Sequence, residues 1–372
     1  MGFGQKRGRS VSDNKPIPSG DALSQPPKPG AIDGDLGANR RQWLAMAGLT
    51  AAGLVGAGAY RIYRSKGIRQ ASVFVARNQT YASDLTRTIA DGFAATGLET
   101  KNLKGKTVLL KPNMVEPRKD SPHMTTEPRM ILAAAEYFRK LGAKVIVGEG
   151  PGHIRDTEAA LIDSGVGEAL EAGSLDFRDL NYEATQFVVN KGHAATKLKG
   201  FYFPQSVIEA DLIVSMPKMK THHWVGVTAG LKNMYGVIPG IRYGWPKNVL
   251  HHNGIPETVF DINASLPKTV VIVDAIECME GDGPILGSRK DMGLVIIGTV
   301  PTAVDATCCR IMDVDPSQIE YLQLAAARGL GPLNDHAIHQ CGEAWQPLQS
   351  PFKVLDREGL RKYIKHRGVQ VS

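Results

Sequence analysis

Asp211-Leu-Ile-Val-Ser-Met-Pro-Lys-Met-Lys-Thr-His-His223 is the stretch on which the fold of this chain turns. Leu212 to Val214 is a short apolar run, and Pro217 ends it. Such a run, closed by a turn residue, reads as a buried strand. Lys218, Lys220, His222 and His223 follow at once. Open α/β sheets bind ligands in the crevice beyond the carboxyl ends of their strands. The stretch therefore predicts four cationic or titratable groups delivered to that crevice. The plain alternative is a solvated loop with its lysines pointing outward.

The same design recurs along the chain. Thr107-Val-Leu-Leu110 is followed by Lys111-Pro112-Asn113, and Ala143-Lys-Val-Ile-Val147 by Gly148-Glu149-Gly150-Pro151-Gly152-His153. Thr269-Val-Val-Ile-Val273 is followed by Asp274, and then by Glu280-Gly281-Asp282-Gly283-Pro284. Each expected strand thus ends in a charged group with Gly or Pro nearby, which points to one shared polar site. Glycine there lets backbone approach a ligand closely.

Helical patterns lie between these strands. Ser72 to Ala76 reads as a strand, and Asp84 to Ala95 as an amphipathic helix with Leu85, Ile89 and Phe93 on one face. A second helix starts with Thr126 as N-cap and Pro128 just inside, and Gly142 stops it. The alternation predicts an α/β fold, a mainly parallel sheet with flanking helices and right-handed crossovers. Residues 166–210 form a small irregular insertion with short strands. Gly293 to Ile297 is a late core strand, Ala303 to Met312 and Pro316 to Ala327 are helices, and residues 351–372 are a basic tail. Residues 72–350 make one α/β domain.

Charge narrows the partners. The chain has 372 residues and a formal net charge of +7. Residues 1–70 hold 11 Lys/Arg against 4 Asp/Glu, so the 33 basic and 33 acidic residues of the remainder balance. A nucleic-acid-binding domain concentrates basic charge in its folded part, so no nucleic-acid partner is expected. Cys278, Cys308, Cys309 and Cys341 include no C-x-x-C pair, so zinc-ribbon and iron-sulfur motifs are missing from the sequence. Cys308 and Cys309 read as buried helix residues, while Cys278 or Cys341 could join a disulfide if the protein is exported.

The N-terminal 39 residues have the composition of a disordered leader. Arg40-Arg41 then precede the uncharged apolar block Ala45 to Ala59, which resembles a twin-arginine export signal spanning residues 40–60. Ala57-Gly58-Ala59 fits a cleavage site before the linker 61–71. This reading makes the twin-arginine export machinery a partner and gives a periplasmic or membrane-anchored location. The alternatives are an uncleaved anchor and a chance amphiphile in a cytoplasmic protein.

Taken together, Val108-Leu-Leu-Lys-Pro-Asn113, Thr125-Thr-Glu-Pro128, Val147-Gly-Glu-Gly-Pro-Gly152, Ala210 to His222, Gly230-Leu-Lys-Asn-Met-Tyr-Gly236, Val273-Asp-Ala-Ile276, Glu280 to Pro284 and Ala303-Val-Asp305 resemble one family. It is the domain of unknown function numbered 362, and the likeness covers about residues 72–345. The resemblance implies a single α/β domain of bacteria and archaea without a settled general activity. Many relatives carry an appended ferredoxin-like module with cysteine runs. This sequence shows no such run, so a redox role borrowed from them lacks its ligands. Some relatives carry twin-arginine leaders, in keeping with the segment at Arg40-Arg41.

The residues permit a definite chemistry. Lys111, Asn113, Lys218 and Asn233 are expected to bind an anionic small molecule, with Lys220, His222 and His223 catalytic. Asp261 or Asp274 would orient a histidine. Glu149, Asp274 and Asp282 are oxygen donors suited to a divalent metal, and His222, His223, His251 and His252 suit zinc, iron or manganese. The same groups serve equally as hydrogen-bonded structural or substrate-binding residues. Gly226 to Gly236 reads as a small-residue helix, and Tyr243 to Asn253 as a loop over the cleft. Three functions follow: an exported enzyme acting on an anionic small substrate, a non-catalytic ligand-binding or cofactor-carrier protein of the cell envelope, and a redox partner.

Overall fold

A computed structural model of the chain describes residues 71–152, 156–190 and 195–355. The leader, the twin-arginine segment, the linker as far as residue 70, His153 and the tail beyond residue 355 lie outside the described residues.

Strands β1 (Ala71–Ala76), β2 (Thr107–Lys111), β3 (Lys144–Glu149), β4 (Asp176–Asp179), β7 (Leu212–Ser215), β10 (Thr269–Glu280), β11 (Ser288–Gly298) and β12 (Ile338–Gly342) form the main path of one sheet. Their order is β12-β1-β11-β10-β7-β2-β3-β4. Pairings from β10 through β7, β2 and β3 to β4 are parallel, while β11 runs antiparallel to β1 and β10. The sheet is therefore mostly parallel, as the strand-helix alternation predicts. Two further strands, β8 (Lys218–His222) and β9 (Gly226–Thr228), hang from β10. β5 (Thr185–Val189) and β6 (Gly200–Pro204) make a separate antiparallel ribbon within the expected insertion.

Period-two alternation sorts the core onto two faces. Val108, Leu110, Leu212, Val214, Val270 and Ile272 point to one side, against α1 (Leu85–Thr96) and α2 (Pro128–Lys140). Phe93, Ile131 and Phe138 fill that layer. Leu109, Ile213, Val271, Val273 and Ile296 point to the other. That face meets α9 (Ile255–Ser265), α10 (Pro301–Ile311) and α11 (Glu320–Ala327) through Phe260, Val304 and Leu322. Burial on both faces explains why the central strands are continuous apolar runs. Shorter helices complete the chain: α3 (Thr157–Ser164), α4 (Val166–Ala172), α5 (Gln205–Glu209), α6 (Gly230–Asn233), α7 (Gly240–Tyr243) and α8 (Asn248–His252).

Four local expectations change. First, β10 does not stop at Asp274. It runs to Glu280 and turns back as β11, so Asp274 is fully buried in mid-strand opposite Val295. Second, Lys218 to His222 is neither a loop nor a simple strand exit. It is a buried strand, paired with β10 at Asp274 and Met279. Third, Glu127, not Thr126, caps α2, accepting from the Arg129 N–H. Thr126 Oγ1 instead donates to Met216 O at 2.6 Å and accepts from Asn113 N–H at 2.8 Å, stitching two strand exits together. Fourth, Gly226 to Gly236 is strand β9, the single turn α6 and a 3-10 turn (Met234–Val237), while residues 243–253 hold α8 rather than an open loop.

Candidate functional site

The site grows from the ends of β2 and β3. Lys111 closes β2 and Glu149 closes β3, and their side chains are 1% and 2% exposed. Lys111 Nζ donates to Glu149 Oε2, to Pro112 O at 2.7 Å and to Asn233 Oδ1 at 3.1 Å. The other Glu149 oxygen accepts from the Gly150 N–H at 2.9 Å. Burial pushes the Lys111 ammonium down, and the Glu149 carboxylate opposes that shift.

Asn233 is fixed from every side. Its Oδ1 also accepts from Asn113 Nδ2 at 3.2 Å, and its Nδ2 donates to Lys111 O and Ser215 Oγ, each at 3.1 Å. Ser215 Oγ in turn donates to Gly230 O at 2.9 Å. The N–H groups opening α6 are held by the buried Asp305 carboxylate, at 2.6 Å from Gly230 and 3.0 Å from Leu231. Burial pushes the Asp305 carboxyl up to about 7, against the two N–H donors that favour its charged form. The serine, the two asparagines and Asp305 thus set the position of Asn233 and of its neighbour Lys232.

These groups border a small cleft, with room for about 80 Å³, partly open to solvent. Of the residues expected at the site, Lys111, Asn113, Glu149, His222, His223 and Asn233 line it. Lys232, Lys247, Thr228, Tyr235, Trp224 and His251 join them. Lys232 Nζ lies 4.2 Å from the Tyr235 ring centroid. Lys247 is buried and donates to Gly150 O at 3.1 Å and Tyr235 O at 3.3 Å. Burial first, and the charge of Lys111 second, lowers the Lys232 amine to about 7. Burial likewise takes Lys247 to about 7, against the pull of Glu149.

His222 is held as a neutral ring. The Trp224 N–H donates to its Nδ1 at 3.1 Å, so the ring proton sits on Nε2. Burial, and then the charge of Lys232, pushes the ring well below its ordinary value. His222 therefore offers a donor to the cleft rather than a base. His223 Nδ1 is 3.1 Å from Asp282 Oδ1. That aspartate, and neither Asp261 nor Asp274, is the carboxylate beside a histidine: Asp261 accepts from the N–H groups of Ala195 and Thr196.

Other expected site residues are turned away from the cleft. Lys218 Nζ binds Asp274 Oδ2 at 2.7 Å and Tyr81 Oη at 2.8 Å in a separate buried cluster. Lys220 Nζ donates to Met124 O at 2.8 Å and Pro284 O at 3.3 Å. Neither lines the cleft. The expected metal donors are likewise dispersed: Glu149 on Lys111, Asp274 on Lys218, Asp282 on His223. Among the described residues no group of three His, Cys, Asp or Glu side chains is placed to hold a metal ion. His252 does not line the cleft, whereas His251 packs on Tyr235 with ring centroids 5.8 Å apart.

Lys247 is the functional-site residue that strand-exit reasoning passes over, since it sits on a connecting segment at φ 71°. Its sequence signal is its place in the 243–253 segment expected over the cleft, after the turn-forming Trp245-Pro246. Lys232 has a clearer signal, being three residues before Tyr235 and next to Asn233 in the Gly230 to Gly236 block.

Gly236 shows how tightly the pair is enclosed. A Cβ there would stand 2.5 Å from Glu149 Oε1 and 2.6 Å from Lys111 Nζ. Gly236→Ala is expected to push the pair apart and cost about 1–3 kcal/mol, as overpacking does. Thermal melting would show it, and an unchanged melting temperature would refute the close packing.

This is an α/β protein with a cleft at the ends of β2 and β3, lined by three lysines, one carboxylate and a fixed asparagine. The chain belongs to the family described as Domain of unknown function (DUF362), whose model matches residues 108–310. Thylakoid-associated protein sll1697 of Synechocystis sp. is similar to it, 25% identical over 290 residues, covering 76% of this chain and 85% of that protein. Among solved structures, the lactate racemase apoprotein from Thermoanaerobacterium thermosaccharolyticum matches with a TM-score of 0.42 and 12% identity. That match covers 66% of this chain and 57% of the other, so this chain spans little more than half of the racemase's length.

Proposed function

We propose that the protein is an enzyme acting on a small anionic substrate bound in the Lys111–Lys232–Lys247 cleft. One observation carries this reading: three lysines line the cleft, and Glu149 is the carboxylate among its lining residues. An anion entering such a site completes its charge balance. Two lining residues support a ligand as well. Asn113 Oδ1 and Thr228 Oγ1 are buried without a hydrogen-bond partner, a state that ordinarily costs about 1–3 kcal/mol per group.

Catalysis rather than storage is favoured by the titration of the cleft. Groups near neutrality move protons most effectively, and Lys232 and Lys247 are both lowered to about 7. Lys232 supplies the acid or base, His222 a neutral hydrogen-bond donor, and Lys111 with Asn233 the fixed floor. His223, paired with Asp282, is the second candidate for proton transfer. A divalent metal has less support, because its three expected carboxylates are each engaged elsewhere.

The protein's place in the cell is part of the same proposal. We place it at, or across, a membrane, exported by the twin-arginine route. Arg40-Arg41 before an apolar segment supports this, as does the printed name of the thylakoid-associated relative. No helix among the described residues is long and apolar enough to cross a membrane.

Thermal shift with phosphate and with oxalate tests the binding step. Ligand at about a hundred times its Kd stabilises the folded state by about 2.7 kcal/mol. Lys232→Met should abolish that gain while melting cooperatively. If neither anion shifts the melting temperature, or the variant responds like the parent, the anionic-substrate reading is lost.

A further inference from the structure

We propose that Lys232 is an amine nucleophile that captures the carbonyl of a small 2-oxo acid as an imine. The inference rests on the anionic-substrate reading and gives it a substrate class.

The case begins with what the lysines touch. Lys111 is bound to Glu149, Lys218 to Asp274, Lys220 to two backbone carbonyls, and Lys247 to the carbonyls of Gly150, Tyr235 and Gly236. Lys232 also lines the cleft, yet its amine rests on the face of the Tyr235 ring, with no carboxylate or carbonyl acceptor among the described residues. A lysine becomes nucleophilic when it is desolvated or set beside another cation. Lys232 is half-buried against the Tyr235 ring, and burial with the charge of Lys111 lowers its amine.

The groups an imine needs stand in the same cleft. His222 carries its proton on Nε2 and can hydrogen-bond the carbonyl oxygen with it, polarising the C=O bond. Lys232 and His222 line the same cleft. The unpartnered acceptors Asn113 Oδ1 and Thr228 Oγ1 can receive a hydroxyl proton. The lysines give the substrate carboxylate its counter-charge.

The step balances without an outside oxidant or reductant. The Nζ lone pair forms a C–N bond to the carbonyl carbon, and the π pair moves to oxygen, which takes a proton. The resulting hydroxyl then leaves as water while the C=N bond forms, both amine hydrogens departing with the oxygen.

Reductive trapping tests this on the full chain. The protein is incubated with glyoxylate or pyruvate at neutral pH, reduced with cyanoborohydride, and its adducts are mapped by peptide mass spectrometry. The expected result is an adduct on Lys232 at about tenfold the level of other lysines, lost in Lys232→Arg. Mapping in the parent protein decides the site even if the variant folds poorly. Adducts spread evenly over the surface lysines, or concentrated on a lysine other than 232, would overturn the inference. Oxalate, with two carboxylates and no ketone, separates the two readings. Stabilisation by oxalate without trapping overturns the imine and leaves the anion site standing, whereas neither effect removes both. Trapping on Lys232 without oxalate stabilisation upholds the nucleophile and overturns the carboxylate-binding part.

Discussion

Replacing Glu149 by alanine should destabilise the fold by about 3–5 kcal/mol at neutral pH, the usual consequence of stripping a buried charge of its partner. Lys111 is 1% exposed, and its remaining partners are one backbone carbonyl and the Asn233 amide oxygen. Without Glu149 its ammonium must either lose its proton or drag the ends of β2 and β3 apart. The loss should therefore shrink as pH rises, because a neutral Lys111 no longer needs a counter-charge. The double variant Lys111→Met with Glu149→Leu should recover much of the stability, since apolar residues of similar volume often replace buried pairs at little cost. It should not recover anion binding, because the fixed floor of the cleft goes with the pair. Urea denaturation at two pH values checks all three parts. Equal losses in the single and double variants would mean that the ion pair is not what the site depends on.

The strand-end positions of Lys111 and Glu149 are legible in the sequence, but their pairing is not, since the residue pattern assigns Lys111 to an anion and Glu149 to a metal. Lys111, Asn113 and Glu149 follow short apolar runs and do sit at strand ends, so the strand-exit rule places them correctly. The rule fails at Asp274, where a charged residue after Val273 looks like an exit but is an interior position paired with Lys218. An ion pair closed across β8 and β10 hides both charges inside the sheet, and period and composition cannot reveal a partner 56 residues away. Lys220 is misplaced for the same reason, its ammonium being satisfied by carbonyls of distant loops. His222 and His223 both reach the cleft although neighbours in a strand point to opposite faces, because β8 ends at His222. Lys247 falls in the 243–253 segment that the sequence sets over the cleft, but nothing in the pattern singles it out there. It reaches the site from a connection between two short helices, a location with no strand to announce it.

Anion affinity should fall about 50-fold between pH 7 and pH 9 for each cleft lysine whose positive charge it requires, on the order of 2 kcal/mol. The sign follows from the direction of the shift. Lys232 and Lys247 are lowered to about 7, so their charge is present below that value and lost as pH rises through it. The groups around Lys232 are Lys111 on β2, Lys220 and His222 on β8, Lys247 ahead of α8, and Tyr235 beneath it, with Glu149 the nearby carboxylate. An anion binds best when these lysines are charged, and its binding pulls their protons on. Imine capture requires the opposite state, since only the neutral Lys232 amine carries a lone pair to donate. Oxalate affinity should therefore decline above pH 7 while the initial rate of glyoxylate trapping at Lys232 climbs towards a plateau. Isothermal titration with oxalate and timed reductive trapping with glyoxylate, run across pH 6 to about 9, separate the two curves. Parallel curves would rule out one lysine serving both as counter-charge and as nucleophile. Opposed curves crossing near neutrality would mean that substrate arrives with Lys232 charged and reacts once that proton has been passed on, with Lys111 left to hold the carboxylate.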